Sequence, residues 1–568
     1  MTYRALFLWL SCWLLASVSN VQATAPLLMP WSENIYGPDG PWHAVSVNIG
    51  IPRQAVDLYP GGRWSGTILT SSVCDKQTPC YSKKAGLYNQ SVSDTAGDIT
   101  DFGSPGGFTI TNVAGSAVTK TLHDTVNWGS IKVPNVSLTA VESVHQTYPG
   151  GQKIPVEVGV LSLGSPQISH VDYGTWMFIP GYLWTVGEIP SYSYGLHIGS
   201  ASQNIPGSLY LGGYDQNRVL GDISTQSFIS FSSAEPGGQL MIDMTDIGLG
   251  VATGGSPWNF TMKDGLLTQS NSSILAPFSV EVNPVKPYLY LPQSTCDAIT
   301  SHLPVTFNQS LGLYLWDTDS SHYQAITSSP AYLWFMFLKD TQNNQNITIK
   351  VPFALLNLTL EAPLVEQSTP YFPCYPVNDT YTIGRAFLQA AFISVNWATG
   401  DSDGRWFLAQ APGPAVASTA SIQPIAVEDK SISGSTSSWE NSWEGRWTPL
   451  PDDSNSNTTS NSTLVSDSDS PLSIGAKAGI GVGCAVAGLV LIGAVFWILV
   501  LRRRRAAVEK AANDPNKNAF DNGFVQRRPQ YYPHELGVRP EDSVMPSEAH
   551  GVPIRLRNPP DEHVEMST

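Results

Sequence analysis

The sequence predicts a mainly β, two-lobed body joined to one transmembrane helix. Three observations carry that prediction. Residues 36–412 consist of short β-type runs broken by Gly, Pro, Asn and Ser. Only 13% of the 568 residues are charged, which suits a secreted, loop-rich protein better than a cytosolic helical one. One long apolar run, Ala478–Leu501, stops at four arginines, Arg502–Arg505.

Residues 1–23 read as a signal peptide. Arg4 supplies the positive start, "ALFLWLSCWLLASV" the apolar core, and small residues allow cleavage after Ala23 or Ala25. Residues 24–205 and 206–412 form the two expected lobes. Their strands include "WHAVSVNIG", "GFTITNV", "SLYLGGYD", "YLYLP" and "AAFISVNW", and "PQSTCDAITSHL" is the best short helix. Residues 413–473 are rich in Ser, Thr, Asn and Asp and read as a disordered, glycosylated stalk. Residues 474–501 form the transmembrane helix, since 24 apolar residues can span about 30 Å of hydrocarbon. Residues 502–568 are polar, Pro-rich and aperiodic and read as a disordered tail. The basic stop puts that tail in the cytoplasm, so the expected protein is a single-pass type I cell-membrane protein with an extracellular body.

The sequons agree with this topology. Asn89, Asn135, Asn259, Asn271, Asn308, Asn346, Asn357, Asn378, Asn457 and Asn461 all precede the span and none follows it. Gly475, Gly479 and Gly483 place a small residue at every fourth position at the start of the span, a pattern that permits a weak helix-mediated dimer and is also simply common in membrane helices.

Net charge is −16, and the acidic excess lies in the body, because residues 502–568 hold 11 basic and 10 acidic residues. An acidic body argues against nucleic acid as a partner. Four cysteines remain for the ectodomain once Cys12 and Cys484 are set aside: Cys74, Cys80, Cys296 and Cys374. They allow three pairings, and spacing favours Cys74–Cys80 with Cys296–Cys374. No CxxC pair or HExxH helix occurs, so neither a zinc site nor any cofactor is expected, and the ten histidines read as surface or packing residues.

Several segments, in order, resemble the pepsin-like aspartic proteases. "VSVNIGIPRQAV" resembles their v-x-I-G-t-P-p-Q strand, and "GLYNQSVSDT" their L-Y-x-P-S-x-S-S-T segment. "HDTVNWGSIKVPNVSL", "GVLSLG", "GSLYLGGYDQNRVLGDI" and "YTIGRAFLQAAFISVNW" resemble later family segments. The resemblance implies a bilobal pepsin-like fold with a cleft between lobes, able to hold an extended peptide. The stalk, span and basic stop resemble a fungal membrane-tethered arrangement. The family's chemistry needs two carboxylates sharing one proton, one per lobe, to activate a water and bind the peptide carbonyl.

At those positions the chain departs from the family. Counting seven from Gln54, or thirteen back from Cys74, gives Gly61, where Asp-Thr-Gly is replaced by Gly61-Gly62-Arg63. Counting nine back from Pro292 gives Asn283, where Asp-Ser-Gly-Thr is replaced by Asn283-Pro284-Val285-Lys286. The flap tyrosine is matched by Phe102. Asp57 and Glu281 lie four and two residues before the missing acids. In strands they would be displaced by about 13 Å and about 6.6 Å, against the roughly 3 Å that a shared proton tolerates. Lys286 would oppose a shared-proton state by favouring ionised acids. "GSLYL" is not a nucleophile elbow, and no other catalytic set stands out.

Three readings follow. The first is a catalytically dead aspartic-protease fold used as a membrane-anchored peptide- or protein-binding or sensing module. The second is an active aspartic-type endopeptidase with an atypical site, which requires two acids converging in the cleft. The third is a structural cell-surface glycoprotein, which requires a filled or glycan-blocked cleft.

Overall fold

Strand Trp42–Ile49 shows how the sequence builds its first sheet. Trp42, Ala44, Val45, Val47 and Ile49 are buried while His43, Ser46 and Asn48 are only partly covered, the near-alternation of a strand with one face on a core. It pairs antiparallel with Trp31–Tyr36 on one side and Gln54–Gly62 on the other. The sheet continues through Gly159–Ser162, Gly66–Leu69, Ile131–Thr147, Gly115–Trp128 and Gly97–Asp98, and Lys153–Pro155 pairs with Ile131–Thr147 as the ninth strand. It curls back on itself where Ile49 meets Val126. The computed structural model describes residues 24–451 apart from 65, 76–77, 100–114, 167–177, 229–236, 270, 272, 341–342 and 399–403. All of them belong to one compact unit, Met1–Thr459.

The second half builds an eight-stranded sheet around Met241–Val251, Ala331–Asp340 and Phe278–Val282, with a four-stranded sheet beside it. A six-stranded sheet draws on both halves of the chain. Leu27–Leu28 and Ser193–His197 come from the first, and Ser208–Leu211, Leu220–Ser227, Ala391–Asn396 and Arg405–Gln410 from the second. Its central strands are covered on both faces, so Ala391–Asn396 is buried throughout, with Ser394 donating to Tyr194 O and Asn396 to Ala426 O. The halves therefore share a sheet across the expected boundary at 205/206.

The helix expected near Cys296 is Gln293–Thr300, burying Thr295, Cys296, Ala298 and Ile299 at helical spacing. Cys296 is bonded to Cys374 at a Cα separation of 5.9 Å, tying this helix to strand Cys374–Pro376, and Cys74 is bonded to Cys80 at 5.3 Å. Of the sequon asparagines, Asn89, Asn259, Asn346 and Asn378 are exposed, and Asn135, Asn271, Asn308 and Asn357 are half-buried. Asn457, Asn461, the signal, the span with its glycines and the tail lie outside the described residues. Among the described residues no helix is long and apolar enough to cross a membrane.

The expectation of a structureless stalk from residue 413 fails over 413–451. Ile422–Pro424 pairs antiparallel with Gly213–Asp215, and Ser435 donates its N–H to Val219 O at 2.7 Å. Trp439–Ser442 forms a helical turn whose Ser438 cap accepts from Asn441 N. Trp439 and Trp443 are buried, Trp447 stacks on Trp443 at 5.3 Å, and Lys350 lies 4.8 Å over the Trp439 ring. Gly255 N–H reaches Leu450 O at 2.8 Å. The physical reason is that a few large rings bury enough apolar surface to order a polar segment, whatever its average composition.

Candidate functional site

Strand Gln54–Gly62 runs into the middle of the first sheet, parallel to Gly159–Ser162, and buries Val56 to Pro60 before opening at Gly61. In the second half, Phe278–Val282 runs parallel to Thr382–Ile383 and ends in a turn at Asn283. That turn is closed by Lys286 N–H on Asn283 O at 3.2 Å and by Val285 N–H on Asn283 Oδ1 at 3.0 Å. The Asn283 side-chain oxygen is thus taken up by its own turn.

The two loops meet. Gly61 has φ +116°, and a Cβ placed on it would lie 2.0 Å from Pro284 Cγ. The Pro284 ring fills the space into which a residue-61 side chain would project. Gly62 O accepts from Leu163 N at 2.7 Å, which fixes this loop from behind.

Of the two neighbouring acids, only Glu281 is tied into the junction. Its carboxylate receives Arg63 Nη2 at 3.3 Å on one oxygen and Lys286 Nζ at 3.3 Å on the other. Arg63 also donates Nη1 to Gly237 O at 2.9 Å, and Lys286 donates to Thr382 Oγ1 at 3.0 Å. Glu281 and Lys286 are buried. Burial pulls the Lys286 ammonium below its usual range, and Glu281 opposes that shift. Asp57 is engaged elsewhere, accepting hydroxyl protons from Ser32 at 2.5 Å and from Tyr36. Phe102 lies outside the described residues. Among the described residues no group of three His, Cys, Asp or Glu could hold a metal ion.

Arg385 was not singled out in the sequence. It follows Gly384 in "YTIGRAFL", an isolated charge in an apolar stretch, and that isolation is the signal that could have found it. It is 5% exposed and donates Nη1 to Val285 O at 2.6 Å. Its guanidinium stacks 4.2 Å from the Tyr59 ring centre and 5.0 Å from that of Trp42.

Beside these loops the two halves are packed together. The turn between Tyr36 and Trp42 reaches across, with Glu361 N–H on Pro38 O at 2.8 Å, Thr359 N–H on Gly40 O at 3.1 Å and Tyr371 OH on Asp39 O at 2.6 Å. Tyr148 OH meets Tyr288 OH at 2.9 Å, and both rings are buried together with Tyr290 and Tyr371. Side chains therefore fill this part of the space between the lobes. The distant His197 is a packing histidine, pushed down to about 3 by burial first and Arg218 next.

Glu157, half-buried beside this turn, accepts Gly37 N–H at 3.3 Å, and burial with help from Asp39 pushes its carboxyl up to about 7. A raised acid stabilises the fold while it is protonated. That contribution is complete below the ordinary 4.5 and is lost as pH rises through about 7. The window is worth about 3 kcal/mol. Glu157→Gln, which carries no charge at either end, should gain about that much over wild type between acid and mildly alkaline pH in urea unfolding. A pH-independent difference would mean that the carboxylate stays hydrated.

No curated protein matches the chain. The family model for the eukaryotic aspartyl proteases does, over residues 43–402, a span holding both loops, both neighbouring acids and the tyrosines between the lobes. Match and fold agree, and the chain belongs to the eukaryotic aspartyl protease family.

Proposed function

We propose that this family member does not hydrolyse peptides and serves as a membrane-anchored, non-catalytic binding module of the cell surface. The observation that carries the reading is the contact of Gly61 with Pro284. Where a carboxylate from each lobe should share a proton, one position has no side chain and the other is an asparagine bound into its own turn. Among the described residues the one acid at the junction is Glu281, which is held by Arg63 and Lys286 and not paired with a second acid. Anchoring and orientation rest on the signal, the apolar span and the one-sided sequons.

The test is a broad peptide library offered to the full-length chain in detergent from pH 3 to 7, with and without a transition-state-mimicking aspartic-protease inhibitor. We expect no inhibitor-sensitive cleavage; such cleavage would sink the reading. A structural surface glycoprotein is the second reading. The tyrosine packing between the lobes favours it, because it leaves less room for an extended ligand.

A further inference from the structure

The loops that meet at Gly61 and Pro284 carry more positive charge than they neutralise. Arg63 and Lys286 share a single carboxylate, Glu281. Arg385, bonded to the same 283–286 turn through Val285 O, forms no ion pair among the described residues. Its Nε has no hydrogen-bond partner although the residue is 5% exposed. Two aromatic faces stabilise this guanidinium in part. Two other acids share its surroundings, acting with it on Tyr59. Asp39, however, accepts the Trp42 indole N–H at 2.8 Å and Glu157 accepts Gly37 N–H, and neither is in ion-pair contact with Arg385. Burying a cation without an anion is costly, and it is retained where something else supplies the charge. Of these cations Arg63 is the most open, its side chain 30% exposed against 7% for Lys286, with Arg385 5% exposed.

We propose that the junction recognises a carboxylate of a bound peptide, an Asp or Glu side chain or a free C-terminus, through the Arg63 guanidinium. The inference rests on the reading of the site as a non-catalytic binding module and names the ligand class of that module. An active protease of this fold must keep its floor able to share a proton between two acids. This floor has exchanged that requirement for fixed cations, and a guanidinium with one donor on Gly237 O and one on Glu281 keeps three of its five N–H groups for a further carboxylate.

The experiment uses the full-length chain in detergent and fluorescently labelled decapeptides in matched pairs, Asp against Asn at one position and free against amidated C-terminus. Anisotropy reads binding, and mass spectrometry of the same samples reads cleavage. We expect at least about tenfold tighter binding of the acidic member of a pair, the scale of one charge-assisted pair. Arg63→Gln should remove that preference, and raised salt should weaken the acidic member selectively. Equal affinity within every pair, or no binding at all, overturns the inference and leaves the non-catalytic reading standing. Cleavage overturns the reading instead. Free succinate competing as well as the acidic peptide would overturn the peptide assignment. The paired comparison in wild type stands even if the Arg63 variant folds poorly.

Discussion

Glu281→Gln should destabilise the folded unit by about 3–5 kcal/mol, the scale for removing one partner of a buried ion pair. The carboxylate sits between two cations at 3.3 Å each, and without its charge Lys286 stays buried among neutral groups, the Thr382 hydroxyl, the new amide and the face of Tyr290. Arg63 is less covered and can turn towards water, so most of the cost falls on Lys286. Adding Lys286→Met to Glu281→Gln should recover more than half of the loss, because the stranded charge is then gone and an apolar chain of similar reach replaces it. Urea unfolding of the wild type, the two single variants and the double variant closes the cycle. A cost below about 1 kcal/mol for Glu281→Gln would mean that the three side chains behave as a hydrated surface cluster rather than as a buried junction.

What the sequence made legible follows the range of each signal. Alternation identified the strand around Trp42, and the family resemblance supplied two counting anchors, Gln54 and Cys74, that converge on Gly61. Pro292 led to Asn283, which the structure shows opening the turn that meets Gly61. These are local patterns, and local patterns survive in a single sequence. The Arg63–Glu281 contact spans 218 residues, and no periodicity encodes it. The sheet shared by the two halves depends on pairings such as Leu28 with Tyr210, which are equally invisible to a sliding window. The segment 413–451 reads as a stalk for the opposite reason, because a window average dilutes three tryptophans in a polar run, and Trp439 packs on Tyr332 and Lys350 of the body. Asp57 shows a subtler limit. Strand parity would put it on the same face as residue 61, yet its Oδ2 is bonded to Ser32 and Tyr36 on the neighbouring strand and not to the junction.

If the proposed reading holds, placing aspartates at its two positions, as Gly61→Asp with Asn283→Asp, should yield a poorly folded protein without protease activity. At Gly61 any side chain meets two penalties. The backbone at φ +116° lies in a region that L-residues rarely adopt, a cost of about 1–3 kcal/mol. The new Cβ would also stand 2.0 Å from Pro284 Cγ, so the turn must move, which adds about 1–3 kcal/mol of overpacking. Even with the turn displaced, the electrostatics oppose the chemistry. Two new carboxylates would join Arg63 and Lys286, already within 3.3 Å of Glu281. Cations that close favour both acids ionised, whereas catalysis needs one of them protonated. Gly61→Ala isolates the steric part and should cost roughly as much as Gly61→Asp. Adding Pro284→Ala, which removes Cγ, should return part of that loss, and the backbone strain would remain. Inhibitor-sensitive cleavage by the two-acid variant alone would show that only the aspartates are missing. The proposed reading expects instead that the whole junction, from Gly61 to Arg63 and from Asn283 to Lys286, opposes the chemistry through its cations as well as through Gly61 and Asn283.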